Sequence, residues 1–137
     1  MTRGAGGAIH PRLTLGGALA DISIYHNPRC SKSREALGLL REQDIDPHIV
    51  EYLKDNPTRA DVEQLMRLLG IKFPKAMMRT NEPAFRELAL GDANDDELID
   101  AMVAHPILIE RPIIIKGDRA VIGRPPERLL ELLGLPD

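Results

Sequence analysis

The sequence predicts an α/β fold with a mixed four-stranded sheet, ordered βαβ, helical insertion, ββα. Three observations carry that prediction. Two short β-branched runs, "ISIYH" and "PHIVEYL", flank an amphipathic stretch near the start of the chain. A block from about 55 to 105 carries helix signals and no strand signal. Near the end, "PIIIKGDRAVIGR" sets two apolar runs on either side of a tight-turn tripeptide.

Each element has its own reason. Residues 22–26 alternate as a short strand and stop at Asn27-Pro28, a turn pair. From Ser31 to about Glu42, Ala36, Leu37, Leu39 and Leu40 recur at helical spacing and form one apolar stripe. Residues 47–53 supply the second strand, and a strand, helix and strand in that order favour a parallel pair with a right-handed crossover. In "DNPTRADVEQLMRLLG", Thr58 can cap, Asp61 sits in the first turn, and Gly70 supplies the left-handed stop. "FPKAMMRTNEPAFRELAL" reads as one or two short helices interrupted before Pro83. "NDDELIDAMVAHP" reads as a helix capped by Asn94 or Asp95 and ended at His105-Pro106. A hairpin turning at Lys116-Gly117-Asp118 follows, and "PPERLLELLG" closes the chain with a helix opened by proline and ended by Gly134. This order is that of a thioredoxin/glutaredoxin-like fold carrying a helical insertion.

Composition sets the outer limits. The chain has 137 residues, enough for one domain with a real core and too few for two ordinary ones. A net charge of −3 argues against a nucleic-acid partner held by bulk electrostatics, and no apolar run approaches the roughly 20 residues of a membrane span. Residues 1–20 are Gly/Ala-rich and without periodicity, so they are expected to be a flexible leader or tag-like extension. A signal peptide reads less well there, because "LTLGGALA" is short and broken by two glycines. Residues 21–137 are expected to form the single folded domain, a cytoplasmic monomer.

Chemistry concentrates at Cys30, the chain's one cysteine. It lies at the strand-to-helix junction, where the free N–H groups of a first helical turn and the helix dipole favour a thiolate. Arg29, Lys32 and Arg34 add positive charge, Ser33 can donate a hydrogen bond, and His26 ends the preceding strand. A free cysteine is most often a small buried hydrophobe, but Asn-Pro-Arg before it and Ser-Lys-Ser after it give this one no apolar company. The same junction suits an anion, and Arg79, Arg111 and Arg124 are candidates for forked recognition of a tetrahedral oxyanion. With no second cysteine, any redox cycle must borrow its other thiol from another molecule.

Four separated stretches, "IYHNPRCSKSR", "MMRTNEP", "HPILIERPIII" and "IGRPPERLLELL", resemble the glutaredoxin-coupled arsenate reductase family over residues 22–134. The resemblance implies a thioredoxin-like fold and a cysteine that attacks arsenate to form a cysteine–arsenate adduct. Glutathione and glutaredoxin then act as reductants, with no bound cofactor. It implies Cys30 as nucleophile, with Arg79, Arg111 and Arg124 as catalytic and oxyanion-binding groups. Asn27 joins the oxyanion set, and His26, Ser33 and Arg34 stabilise the thiolate. Pro112 takes the place of the fold's cis-proline, so a cis Arg111–Pro112 bond is expected.

Other readings use the same residues. A related branch, the Spx-type regulators, carries a Cys-x-x-Cys switch, whereas here the second position is Ser33. A protein-interaction module of that kind, or a glutathione-dependent thiol oxidoreductase without arsenate activity, is the alternative. His48 and His105 read as structural, no Cys/His/carboxylate spacing makes a metal site, and "GDANDDELID" reads as a helix cap with its first turn.

Overall fold

The computed structural model describes residues 22–134; the N-terminal leader, with both of its readings, lies outside them. Strand β1 (Ile22–Tyr25) is flanked on one side by β2 (His48–Val50) and on the other by β3 (Ile113–Lys116), with β4 (Arg119–Ile122) at the far edge. The β1–β2 pair is parallel and the other two pairs are antiparallel, so the sheet is mixed, in the order β2-β1-β3-β4. This is the α/β, thioredoxin-like arrangement that the element order predicts.

Alternation along the strands divides the core in two. Ile22, Ile24 and Ile114 point to one face, where α1 (Ser31–Glu42) and α5 (Arg128–Leu133) supply Ala36, Leu37, Leu40, Leu129 and Leu132. Tyr25, Ile113, Ile115 and Ala120 point to the other face, which the inserted helices cover. The insertion comprises α2 (Arg59–Leu69), α3 (Pro83–Glu87), α4 (Asp95–Ala104) and three single-turn 3₁₀ segments. Its two main helices both begin in capping boxes. Thr58 Oγ1 accepts from Asp61 N at 3.1 Å while Asp61 Oδ2 accepts from Thr58 N at 3.0 Å. Asn94 and Glu97 repeat the exchange at α4, which decides between the two expected caps. Arg59 then ties α2 to α4 through Asp96 and Asp100.

The strands are shorter than expected. β1 stops before His26, although His26 N still donates to Val50 O at 2.9 Å. β2 covers three residues, not the expected 47–53, because Glu51 O accepts from both Lys54 N and Asp55 N and turns the chain away. The apolar residues after β2 misled the reading: Tyr52 is buried by the insertion, not by pairing. Among the described residues, no helix is long and apolar enough to cross a membrane.

Candidate active site

The loop between β1 and α1 is built from its own side chains. Asn27 O accepts from Cys30 N at 3.0 Å, and Asn27 Oδ1 accepts from Arg29 N at 3.0 Å, a turn that asparagine forms with its own backbone. Ser33 Oγ accepts from Asn27 N at 3.0 Å and shares a 2.7 Å hydrogen bond with His26 Nδ1. Arg34 Nη1 donates to Pro28 O at 2.9 Å. These contacts deliver Cys30 as the N-cap residue of α1, with extended backbone angles.

The sulfur is enclosed, with Cys30 only 9% exposed, less open than its polar neighbours suggest. Burial pushes the thiol pKa up. It is outweighed by the backbone N–H of Ser33, the charge and hydrogen bond of the Arg111 guanidinium, and the backbone N–H of Lys32, and the net shift is downward. Ser33 is thus among the groups that lower the thiol pKa, joined by Arg111 and the Lys32 backbone. Ser33 acts through its main chain, since its hydroxyl is engaged with His26 and Asn27. His26 is buried, and desolvation leads the causes that hold its pKa below the usual histidine range. It is therefore neutral at pH 7 and braces Ser33 instead of lending a positive charge. Arg34 fastens the loop at Pro28, and the amide oxygen of Asn27, expected to bind the oxyanion, is used within the loop itself.

The three arginines come from distant segments that the fold draws together. An isolated antiparallel bridge joins Met78 to Ile109, flanked by Arg79 N→Leu108 O at 2.7 Å and Glu110 N→Met77 O at 2.9 Å. This stitch places Arg79 beside the approach to β3. Arg111 follows at once, and its bond to Pro112 is cis. Gly123 N donates to Pro112 O at 2.8 Å, and Arg124 Nη1 donates to Arg111 O at 3.2 Å. A Cβ on Gly123 would lie 3.1 Å from Pro112 Cγ and 2.9 Å from Ile114 Cδ1, so the hairpin approaches the proline only because that residue is glycine. The Arg124–Pro125 bond is cis as well, which the sequence did not suggest.

Each arginine is held differently. Arg79 pairs with Glu82 across a turn, and Arg124 Nε lies 4.0 Å from Glu110 Oε1. Arg111 Nε and Nη1 are buried with no hydrogen-bond partner among the described residues. Sequence reasoning missed Glu82, Glu110 and Tyr52. The signal for Tyr52 was present: it is one of only two tyrosines in a chain with 3% aromatic content, and each follows or ends a parallel strand. A cavity of about 450 Å³ opens beside the loop, lined by His26, Asn27, Pro28, Arg29, Glu51 and Leu53 among others. No group of three or more His, Cys, Asp or Glu side chains among the described residues could hold a metal ion.

A chain with a thiol at a helix N-terminus and the Arg111 guanidinium beside it matches known proteins over most of its length. The ArsC family model covers residues 25–132. This chain belongs to the ArsC family. A Haemophilus influenzae protein named arsenate reductase is 46% identical over 115 residues, spanning 82% of this chain and 99% of its own. The Escherichia coli protein YfgD, which carries no assigned activity in its name, is 45% identical over 116 residues, 83% of this chain and 98% of its own. The solved structure described as an arsenate reductase from Vibrio cholerae has a TM-score of 0.79 at 48% identity, covering 80% of this chain and 95% of its own. As a member of the ArsC family, the chain shares its thioredoxin-like fold with these relatives.

Proposed function

We propose that this protein is an arsenate reductase that works through a cysteine–arsenate adduct, with glutathione and glutaredoxin as reductants. One observation carries the reading: the Cys30 thiol pKa is lowered despite burial, by the Ser33 backbone N–H and then by the Arg111 guanidinium, and that guanidinium keeps two buried nitrogens with no partner among the described residues. A thiolate beside cationic donors that no protein group engages suits attack on an anion. The names of the relatives supply the anion, arsenate.

Cys30 Sγ attacks arsenic, and one arsenate oxygen leaves as water after protonation. Arg79, Arg111 and Arg124 hold the remaining oxygens and offset the charge that develops during transfer. Glutathione displaces a second oxygen to form a mixed arsenic–sulfur species. A glutaredoxin thiolate then attacks the glutathione sulfur, the electron pair of the As–S bond stays on arsenic, and As(V) becomes As(III). Water releases arsenite and regenerates the Cys30 thiol. The absence of a second cysteine in the chain fits a cycle that draws its other thiols from outside. A cytoplasmic setting, where glutathione is reduced, suits that cycle.

The test is NADPH oxidation coupled through glutathione reductase, glutathione and glutaredoxin. Arsenate-dependent oxidation that disappears with Cys30→Ser supports the proposal. No arsenate-dependent turnover with any glutaredoxin tried contradicts it.

A further inference from the structure

We propose that Tyr52 is an additional substrate-contacting residue, whose hydroxyl donates to an oxygen of the oxyanion held beside Cys30. The proposal rests on the oxyanion reading above and adds a residue that neither the sequence motifs nor the arginines point to.

Tyr52 sits just past the C-terminal end of β2, at the same end of the sheet as the Cys30 loop and the start of β3. The side chain is fully buried, and its ring stacks on Tyr25 with centroids 5.7 Å apart, which fixes where the hydroxyl lies. That hydroxyl has no hydrogen-bond partner among the described residues. A buried polar atom without a partner is rare, because it has lost water and gained nothing. The charged groups that reach it electrostatically are those of the site: Arg111, Cys30, Arg79 and Glu110. Burial, the first cause, holds the phenol far above the usual tyrosine range, so it stays a neutral O–H donor at every working pH.

Four buried side-chain atoms among the described residues lack a partner, Tyr25 Oη, Tyr52 Oη, Arg111 Nε and Arg111 Nη1, and all four can donate. Of the two hydroxyls, that of Tyr25 is reached by Asp61, whereas that of Tyr52 is reached by the charges of the site, so Tyr52 Oη and the two Arg111 nitrogens form the set that would meet an oxyanion. Donors alone cannot satisfy one another fully, since each guanidinium N–H needs an acceptor. An oxyanion supplies several. The same three atoms are closed to water, so contact requires a side chain to shift on binding. Arg111 Nε and Nη1 have no hydrogen bonds to break, while the guanidinium's bond to the Cys30 sulfur must be kept as it turns.

The test uses the full chain and Tyr52→Phe, which removes the hydroxyl and keeps the stacked ring. Arsenate protection of Cys30 against iodoacetamide reports binding without requiring turnover. The proposal expects the half-protecting arsenate concentration to rise about 10-fold in the variant, the loss of roughly one net hydrogen bond to an ion. The melting temperature should hold or rise, since an unsatisfied hydroxyl has gone. Equal protection in the two proteins overturns the Tyr52 inference and leaves the proposed function standing. No protection of the wild type overturns both. A second measurement needs no variant: with no Trp and two Tyr in the chain, near-ultraviolet absorbance reports the tyrosines. Arsenate should shift it, and an unshifted spectrum at protecting arsenate concentrations overturns the inference.

Discussion

The loop that carries Cys30 and the arginines around it are built on different principles. The side-chain hydrogen bonds that shape the loop join residues within seven positions of each other, from Asn27 with Arg29 to His26 with Ser33. The arginines stand far apart in sequence, and each is placed by long-range pairing: Arg79 by the Met78–Ile109 bridge, Arg111 by β3, Arg124 by the hairpin that returns to Pro112. Local bonds preset the nucleophile, and tertiary packing sets what it faces. The lesson is that the two halves should fail separately. Damage to the loop should cost order near Cys30, and damage to the arginines should cost anion chemistry while the fold remains.

The largest expected effect breaks the comparison at its centre. Cys30→Ser should lower arsenate-dependent turnover by about 10³-fold or more, because an alcohol at that position is a far weaker nucleophile. Circular dichroism should show an unchanged fold, as serine is itself a favoured N-cap residue. Arg111→Ala comes next, with a turnover loss on the order of 10²-fold. Arg111→Lys should recover part of the thiol's acidity but less of the turnover, since a point charge cannot replace a planar fork.

Smaller effects sharpen the loop side. Ser33→Ala strips partners from His26 Nδ1 and Asn27 N, so urea unfolding should show a stability loss of about 1–3 kcal/mol. The acidity of Cys30 should barely move, because the Ser33 backbone N–H that bonds the sulfur remains. A marked rise in the thiol's pKa in that variant would return the hydroxyl to the role the motif suggested. Gly123→Ala should cost about 1–3 kcal/mol by crowding Pro112 and Ile114. The smallest effect is in the pH dependence of stability. The folded thiol pKa is depressed, so Cys30 stabilises the fold fully above the unfolded pKa of about 8.5 and loses that contribution as pH falls through the folded pKa. The melting temperature of wild type minus Cys30→Ser should therefore increase with rising pH across that window.

What could be read from the sequence follows the same division. The helix Ser31–Glu42, its start at Cys30, the Thr58 cap and the Gly117 hairpin turn depend on neighbours in the chain, and they stand where the residues predict. β2 was read too long because apolar Tyr52 and Leu53 extend the run, while the backbone bonds to Glu51 O that end it leave no trace in hydrophobic pattern. The arginines were picked out as residue types and family positions, but their partners were not. Glu82 and Glu110 resemble any surface acid until folding brings them to Arg79 and Arg124. That the Ser33 hydroxyl turns toward His26 and Asn27 is not legible in the sequence, because proximity along the chain does not say which atom a hydroxyl turns toward. The requirement for glycine at 123 appears only when β4 meets Pro112.

The backbone N–H of Ser33 and the Arg111 guanidinium are proposed to hold Cys30 as a thiolate. The pH dependence of Cys30 alkylation in wild type and in Arg111→Ala tests it most directly. The wild type should react with an apparent pKa below the free-thiol value of about 8.5, and Arg111→Ala should move it upward. A wild-type value at or above 8.5, or an equal value in the two proteins, contradicts the claim.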